Sequence, residues 1–344
     1  MKKQKFYLAL TFILGCYYLS KAQTVKDFFY IEKENKELPV FIRGNLDNKT
    51  IILFVQGGPG ETAIDFGRSD YPRWQNTLEK KVAIAYYDQR GLNQNAGRID
   101  TTLINYKQYS NDIIEISNQL KVKYQAKIYL MGHSYGGGFV YHCLSEFNNS
   151  SNAIEGGVVL NTPITTDYSR ERYDYYRPLY LKNLAQEFID KGIDTQKWQE
   201  AYDWIEEIDS IHTPEDSKKW NSYADSAFES IKRKTSFRMA SRVLFSRPYN
   251  PIKYLNSKDN QLVSDFIWID QKHINFFECL PKINHPMLII TGRFDDLAGP
   301  EEMQKAEELL KKSKVIILPS AGHESFLDQP KLFNESILQF VLRE

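Results

Sequence analysis

Cysteine is scarce in this chain, which has only Cys16, Cys143 and Cys279 among its 344 residues. So few cysteines cannot form a disulfide framework for a domain of this size, and none stands with histidines at metal-ligand spacing. The sequence therefore predicts no metal site, and no other cofactor is expected.

The chain also lacks an excess of either charge, because 44 lysines and arginines balance 44 aspartates and glutamates. No basic stripe points to nucleic acid, and no acidic tail points to disorder. Internal repeats and low-complexity segments are absent as well. These absences leave an ordinary globular chain, long enough for one large core or for a core with an inserted domain.

The first 22 residues differ from the rest. A basic head (residues 1–5) precedes the nearly apolar run Phe6–Tyr18, and Ser20 and Ala22 supply small residues before Gln23. This pattern predicts a signal peptide over residues 1–22, and hence a secreted or periplasmic protein without stable membrane insertion after cleavage.

Two alternatives for this segment are weaker. The apolar run is shorter than the ~20 residues that a membrane-spanning helix needs, which disfavours a retained anchor. Lipid attachment at Cys16 is disfavoured because apolar residues follow that cysteine directly.

Strand-like and helix-like segments alternate along much of the chain. Val25–Lys33 and Leu38–Arg43 predict an N-terminal hairpin. Short apolar runs follow at Ile51–Val55, Val82–Tyr87, Ile128–Met131, Val158–Leu160, Met287–Ile290 and Val315–Leu318. This alternation predicts an α/β fold with a mostly parallel central sheet covered on both faces.

The pattern changes between residues 164 and 282, where strand-like runs disappear and helical stretches rich in Tyr, Trp, Glu and Lys take over. We therefore predict a core formed by residues 23–163 and 283–344, and a helical cap formed by residues 164–282.

The strongest chemical motif is Gly132-His-Ser134-Tyr-Gly136, which follows a predicted strand and precedes a predicted helix. A serine on such a tight turn is displayed for attack on a carbonyl, and the flanking glycines allow the backbone segments to pack closely. The motif predicts that Ser134 is a nucleophile.

A serine nucleophile needs a base and a carboxylate that orients the base. His323 lies in a loop of small residues after the last predicted strand, and Asp295 lies in the loop after the preceding one. We predict that His323 is the base and Asp295 the acid. The neighbouring Asp296 is the alternative acid, or it caps the next helix or pairs with Arg293.

The glycine-rich segment Gly57-Gly-Pro-Gly60 follows the strand that ends at Val55. Such a loop can present backbone N–H groups to an oxyanion. We expect the N–H groups of Gly57 and Tyr135 to form the oxyanion hole, with Gly58 as the alternative to Gly57.

These motifs together resemble those of the proline iminopeptidase family of α/β-hydrolases. The shared elements are Gly57–Gly60, Asp88-Gln-Arg-Gly91, the Ser134 turn, Gly-Arg-x-Asp295 and Gly-His323. The resemblance covers roughly residues 25–163 and 283–344. It implies an α/β-hydrolase fold with an inserted helical cap, and a serine aminopeptidase whose cap carboxylates bind the free amine of a peptide.

The chain departs from the family in places. Gln56 stands where the family usually has His, and Asn93 and Asn95 replace a Gly and a Ser. The amine-binding glutamate segment of the cap is missing, and Trp220-Asn-Ser-Tyr-Ala224 is its nearest counterpart. Glu206, Glu207 and Glu229 are the candidate replacements.

Three functions follow from these observations. The first is release of an N-terminal residue from a peptide through an acyl-enzyme. The second keeps the mechanism but acts on small or lipid-like acyl esters. The third is a ligand-binding protein that has kept the fold without catalysis.

Overall fold

The computed structural model describes residues 24–33, 36–58, 60–92, 100–147, 153–231 and 258–343. The predicted signal segment 1–22, with Cys16, lies outside these residues, and so do Asn93 and Asn95. Among the described residues, no helix combines the length and the apolarity needed to cross a membrane.

A single sheet of eight strands organises the molecule, with the strand order β1-β2-β4-β3-β5-β6-β7-β8. The strands are Thr24–Lys33 (β1), Lys36–Asn45 (β2), Thr50–Val55 (β3), Ala83–Tyr87 (β4), Lys127–His133 (β5), Ile154–Leu160 (β6), Met287–Gly292 (β7) and Ser313–Leu318 (β8).

The predicted N-terminal hairpin is confirmed, because β1 and β2 pair antiparallel along their whole length. β2 joins β4 antiparallel, and every other pairing in the sheet is parallel. The predicted α/β fold with a mostly parallel sheet is therefore confirmed.

Helices cover both faces of the sheet. The described α-helices are Ala63–Ser69 (α1), Tyr106–Tyr124 (α2), Tyr135–Glu146 (α3), Arg177–Asp190 (α4), Thr195–Ile208 (α5), Pro214–Ile231 (α6), Lys258–Asp270 (α7), Phe276–Cys279 (α8), Pro300–Leu309 (α9), Ser325–Asp328 (α10) and Pro330–Leu342 (α11).

The period of two along β3 explains the two faces. Ile51 and Leu53 pack in a cluster with residues of α2 and α3, whereas Ile52 and Phe54 pack in a second cluster with residues of α1 and α11. Because a sheet buried on both faces cannot alternate apolar with polar residues, its strands read as continuous apolar runs.

The segment predicted as a cap contains α4 to α8 and, within its described part, no strand. A third apolar cluster centres on this segment and includes Leu184, Trp198 and Trp220. The cap boundaries at residues 164 and 282 stay a prediction.

Candidate active site

Ser134 occupies a strained turn between β5 and α3. Its φ of 52° and ψ of −122° lie outside the regions that most residues adopt. A Cβ on Gly132 would lie 2.4 Å from the Gly136 carbonyl oxygen, and one on Gly136 would lie 2.1 Å from that of Val55. Both glycines are therefore required, and the turn projects Ser134 from the carboxyl edge of the sheet.

The structure brings the three predicted catalytic residues together from three loops. His323 Nε2 lies 3.0 Å from Ser134 Oγ, and His323 Nδ1 lies 3.0 and 3.2 Å from the two carboxylate oxygens of Asp295. These distances allow a hydrogen-bonded relay from hydroxyl to imidazole to carboxylate.

Asp295 is fully buried but well supplied with donors. Its Oδ1 accepts the backbone N–H groups of Leu297 and Ala298 at 3.0 and 3.1 Å, and its Oδ2 accepts Asn161 Nδ2 at 2.7 Å. Burial raises the pKa of Asp295, but the charge and hydrogen bond of His323, together with these donors, outweigh it and lower the pKa to about 2.

His323 shows the complementary shift. Burial lowers the pKa of its imidazole, but the Asp295 carboxylate outweighs that effect, so the pKa of His323 is raised above its ordinary value. The imidazolium that forms when His323 takes a proton is thereby stabilised.

Asn161 is a site residue that the sequence analysis missed. It follows β6 directly, has a φ of 51°, and donates from Nδ2 to the Gly322 carbonyl at 3.0 Å as well as to Asp295. Its Oδ1 accepts the hydroxyl of Ser325 at 2.6 Å. Asn161 therefore joins the acid loop to the histidine loop, and a polar residue directly after a buried strand was the available signal.

His133 contacts the backbone of the loop that carries His323. Its Nε2 lies 3.1 Å from the His323 carbonyl oxygen, so the neutral ring can donate there. Burial is the main cause that lowers the pKa of His133 to about 3. A ring that stays neutral at ordinary pH adds no charge beside His323.

The geometry supports none of the three roles considered for Asp296. It is not the acid, because His323 bonds Asp295, and it is not the helix cap, because Gly299 stands at the N-cap of α9. It does not pair with Arg293, whose Nε donates to Glu187 at 2.7 Å. Asp296 is half-buried, and burial raises its pKa.

The loop after β3 lies against the nucleophile turn. A Cβ on Gly57 would lie 2.3 Å from the His133 carbonyl oxygen and 2.9 Å from Ser134 Cβ, so only glycine fits. Tyr135 is the first residue of α3, and helix N-termini leave N–H groups without helical partners. The assignment of Gly57 and Tyr135 to an oxyanion hole stays a prediction.

Gln56 and Glu61 tie the two ends of this loop together. Gln56 Nε2 donates to Glu61 Oε2 at 2.5 Å, and the Glu61 N–H donates to the Gly58 carbonyl at 2.8 Å. Burial, with a smaller contribution from the charge of Glu324, raises the pKa of Glu61 to about 7. Gln56 thus keeps a side-chain hydrogen bond in the position where the resembled family has histidine.

The Asp88–Gly91 motif has a scaffold role in this structure. Asp88 Oδ1 accepts the N–H of Ile64 in α1 at 3.0 Å, and Arg90 bonds both carboxylate oxygens of Asp112 in α2 at 2.5 and 2.8 Å. The motif therefore fastens two helices to the end of β4 and does not contact Ser134 through these bonds.

A cavity of about 240 Å³ opens beside Ser134. Aromatic and apolar side chains from α2, α3 and the predicted cap form much of its wall, among them Tyr106, Tyr135, Trp268 and Phe276. Asp167 and Arg172 also line it, and they pair with each other at 3.3 Å.

The predicted amine ligands do not reach this cavity. Glu206, Glu207 and Glu229 are exposed on α5 and α6, none of them lines the cavity, and Glu206 pairs with Lys182. Trp220 is fully buried, donates to the Arg177 carbonyl at 2.8 Å, and belongs to the apolar cluster of the cap. Acidic side chains on the outer face of a helix are stable in water without a ligand, which explains their positions.

Within the described ranges, no group of three or more His, Cys, Asp or Glu side chains could hold a metal ion. The described cysteines, Cys143 and Cys279, are both buried and free.

Several solved structures resemble this chain at low sequence identity. An esterase from Exiguobacterium antarcticum is 18% identical, with a TM-score of 0.56 and coverage of 91% of this chain and 98% of that one. The proline iminopeptidase of Mycobacterium smegmatis is 15% identical, with a TM-score of 0.56 and coverage of 92% and 98%. A bacterial membrane phospholipase A is 16% identical, with a TM-score of 0.56 and full coverage of both chains.

At these identities the structures show a shared fold and no shared substrate. A comparison with curated proteins finds no match. A family model described as the alpha/beta hydrolase fold matches residues 50–330, which is most of the chain. The chain therefore belongs to the alpha/beta hydrolase fold family.

Proposed function

We propose that this protein is a serine hydrolase that works through an acyl-enzyme. The contact that carries the proposal is the 3.0 Å approach of His323 Nε2 to Ser134 Oγ, with Asp295 behind the imidazole. In the first half of the reaction, Ser134 Oγ attacks the carbonyl carbon and its proton passes to His323 Nε2. The leaving group then departs with that proton.

Water completes the cycle in the second half. It attacks the acyl carbonyl, its proton passes to His323 Nε2, and Ser134 Oγ leaves with that proton as the acid product is released. Each tetrahedral intermediate carries a negative oxygen, for which the N–H groups of Gly57 and Tyr135 are the proposed donors.

The cavity favours a small, uncharged acyl group as the substrate. Its volume of about 240 Å³ is below the range of roughly 300–1,000 Å³ that is typical of sites for drug-sized ligands. Asp167 places a carboxylate on the cavity wall, and this carboxylate forms an ion pair with Arg172 at 3.3 Å. We therefore favour hydrolysis of small acyl esters over release of an amino acid with a free amine.

Aminopeptidase activity is the second candidate. It is supported by the Gly57–Gly60 and Asp88–Gly91 motifs, and by Asp167, whose carboxylate could meet an ammonium group if Arg172 moved away from it. A panel of aminoacyl arylamides and acyl p-nitrophenyl esters separates the two. Turnover confined to esters supports the first candidate, and arylamide turnover lost on acetylation of the α-amine supports the second.

Replacement of the nucleophile tests the mechanism itself. We expect Ser134→Ala to abolish both turnover and labelling by a fluorophosphonate probe, because no other described residue occupies the nucleophile turn. Ser325→Ala is a matched control, since the Ser325 hydroxyl donates to Asn161 and not to His323. Labelling of the Ser134→Ala protein at the native rate would refute the assignment, because another residue would then be the reactive nucleophile. Tight ligand binding without any turnover in the native protein would favour the non-catalytic alternative.

We also propose that the protein is exported after removal of residues 1–22. The apolar segment behind a basic head supports this proposal. Mass spectrometry of the protein from an exporting host should find Gln23 at the N-terminus. A chain that retains Met1, or a lipid on Cys16, would contradict it.

A further inference from the structure

Three buried polar atoms that make no well-formed hydrogen bond to a described residue line the cavity beside Ser134. They are the hydroxyl oxygens of Tyr106 and Tyr135 and the Oε1 atom of Gln271, and the Tyr106 side chain also interacts with those of Tyr135 and Gln271, so the three groups lie close together. Tyr106 is 1% exposed and Gln271 is 7% exposed, so bulk water does not satisfy them. Buried polar atoms are nearly always bonded in native proteins, and a group of exceptions that lines one cavity indicates a site for water or for a polar ligand group.

The three atoms converge from different elements. Tyr106 begins α2, Tyr135 begins α3 immediately after the nucleophile, and Gln271 follows α7. A Cβ placed on Gly138, in the first turn of α3, would lie 3.2 Å from the Tyr106 hydroxyl. The Tyr106 hydroxyl therefore lies against the first turn of α3, the helix that directly follows Ser134.

Aromatic contacts hold the two tyrosine rings. The ring of Trp268 stacks on that of Tyr135 with centroids 5.6 Å apart, and the Tyr106 ring lies 4.5 Å from that of Phe139. Rings fixed in this way present their hydroxyls without the entropy cost of ordering them on binding.

The cluster is uncharged. Burial raises the pKa of both tyrosines above the ordinary value, so their hydroxyls stay protonated at neutral pH. The nearby carboxylates are engaged elsewhere, since Asp167 pairs with Arg172 and Asp270 accepts the Tyr106 backbone N–H at 2.8 Å. A charged ligand group would find no unpaired counter-charge among these residues.

A hydroxyl matches the cluster because a single oxygen can donate to Gln271 Oε1 and accept from a tyrosine hydroxyl. We propose that Tyr106, Tyr135 and Gln271 form a subsite for a hydroxyl group on the acyl part of the substrate. This inference rests on the proposed function and deepens it. The preferred substrates are esters of small hydroxy acids.

The test compares p-nitrophenyl butanoate with the 2-hydroxy- and 3-hydroxybutanoate esters. We expect kcat/KM for at least one hydroxylated ester to exceed that for butanoate by about tenfold, because a site built for a hydroxyl leaves polar atoms unpaired around the plain chain. The preference should fall to about one in Tyr106→Phe, which removes a single oxygen from an otherwise unchanged ring.

Tyr141→Phe is the matched control. Tyr141 is also a buried tyrosine of α3 with an unpartnered hydroxyl, but it does not line the cavity. The preference should survive in this variant. Equal rates for all three esters in the native protein, or equal loss of preference in both variants, would overturn the subsite.

A binding experiment distinguishes failure of the subsite from failure of the proposed hydrolase function. If no ester is hydrolysed and fluorophosphonate does not label Ser134, calorimetric titration with 3-hydroxybutanamide and butanamide still tests the subsite. Tighter binding of the hydroxylated amide, lost in Tyr106→Phe, supports it. Equal or undetectable binding of the two amides contradicts it.

Discussion

The two sides of Ser134 differ in how completely their polar atoms are bonded. On the side of Asp295, both carboxylate oxygens have several partners, and Asn161 links the acid loop to the histidine loop. On the side of the cavity, the buried hydroxyls of Tyr106 and Tyr135 and the Oε1 atom of Gln271 make no well-formed hydrogen bond to a described residue.

This difference suits the two sides to different tasks: the Asp295 side orients the His323 imidazole, and the cavity side contacts the ligand. A fully bonded carboxylate cannot rotate without losing several hydrogen bonds, so it holds the imidazole in one orientation. Atoms that lack partners are available to a ligand. Changes on the relay side should therefore lower kcat, whereas changes on the cavity side should alter the choice of substrate.

Among the changes that keep the Ser134 nucleophile, the largest effect is expected from Asp295→Asn. An amide donates where a carboxylate accepts, so it favours the wrong tautomer of His323, and kcat should fall by about 10⁴-fold. Activity in the native protein should decline as the pH falls through the raised pKa of His323. In the variant this acid limb should shift to lower pH, because the carboxylate that raises the pKa is gone.

Stopped-time assays over a pH series measure both changes. Asp296→Asn is the control, since Asp296 makes no hydrogen bond to His323, and we expect it to change kcat far less. Similar losses in the two variants would show that the histidine takes its orientation from elsewhere, and the comparison between the two sides would fail.

A smaller effect, about 100-fold in kcat with little change in KM, is expected when Asn161 loses its side chain. The bonds to Asp295, Gly322 and Ser325 would be lost together, and small displacements of catalytic groups have effects of this size. Because Asn161 has a φ of 51°, Asn161→Gly tests the hydrogen bonds without backbone strain, and Asn161→Ala adds that strain.

Steady-state kinetics on both variants, with thermal melts to confirm folding, distinguish the causes. Full activity in Asn161→Gly but not in Asn161→Ala would assign Asn161 to backbone geometry alone. A rise in KM at constant kcat would place it on the recognition side.

The sequence was most informative where a local pattern has one structural meaning. Continuous apolar runs predicted the parallel strands, and the glycines around Ser134 predicted a turn whose close contacts exclude any side chain. His323 and Asp295 could be placed because loops after parallel strands meet at one edge of the sheet.

The residues that the sequence did not place depend on tertiary contacts. Asn161 is one polar residue after a strand among many, and its importance lies in bonds to residues more than 130 positions away. Tyr106 and Gln271 come from different elements and have no shared motif. Glu206, Glu207 and Glu229 were chosen by charge, which carries no information on the direction in which a helix face points.

The smallest effect concerns Glu61, whose carboxylate accepts a hydrogen bond from Gln56 although burial disfavours its charged form. Its folded-state pKa of about 7 exceeds the ordinary value of 4.5, so between these values the folded state binds more protons than the unfolded state. The free energy of unfolding should therefore fall as the pH rises from about 5 to 8. The shift corresponds to at most about 3 kcal/mol, and solvent screening reduces this to about 2 kcal/mol or less.

Glu61→Gln should remove this dependence, because the amide can accept from Gln56 but cannot ionise. Urea unfolding of both proteins at pH 5, 6, 7 and 8 measures it, and the variant should gain stability relative to the native protein at pH 8 but not at pH 5. A parallel decline in both proteins would mean that Glu61 is solvated when charged. The contact between Gln56 and Glu61 would then contribute little to holding the Gly57 loop. The well-bonded side of Ser134 would then include the Asp295 and His323 loops but not the Gly57 loop.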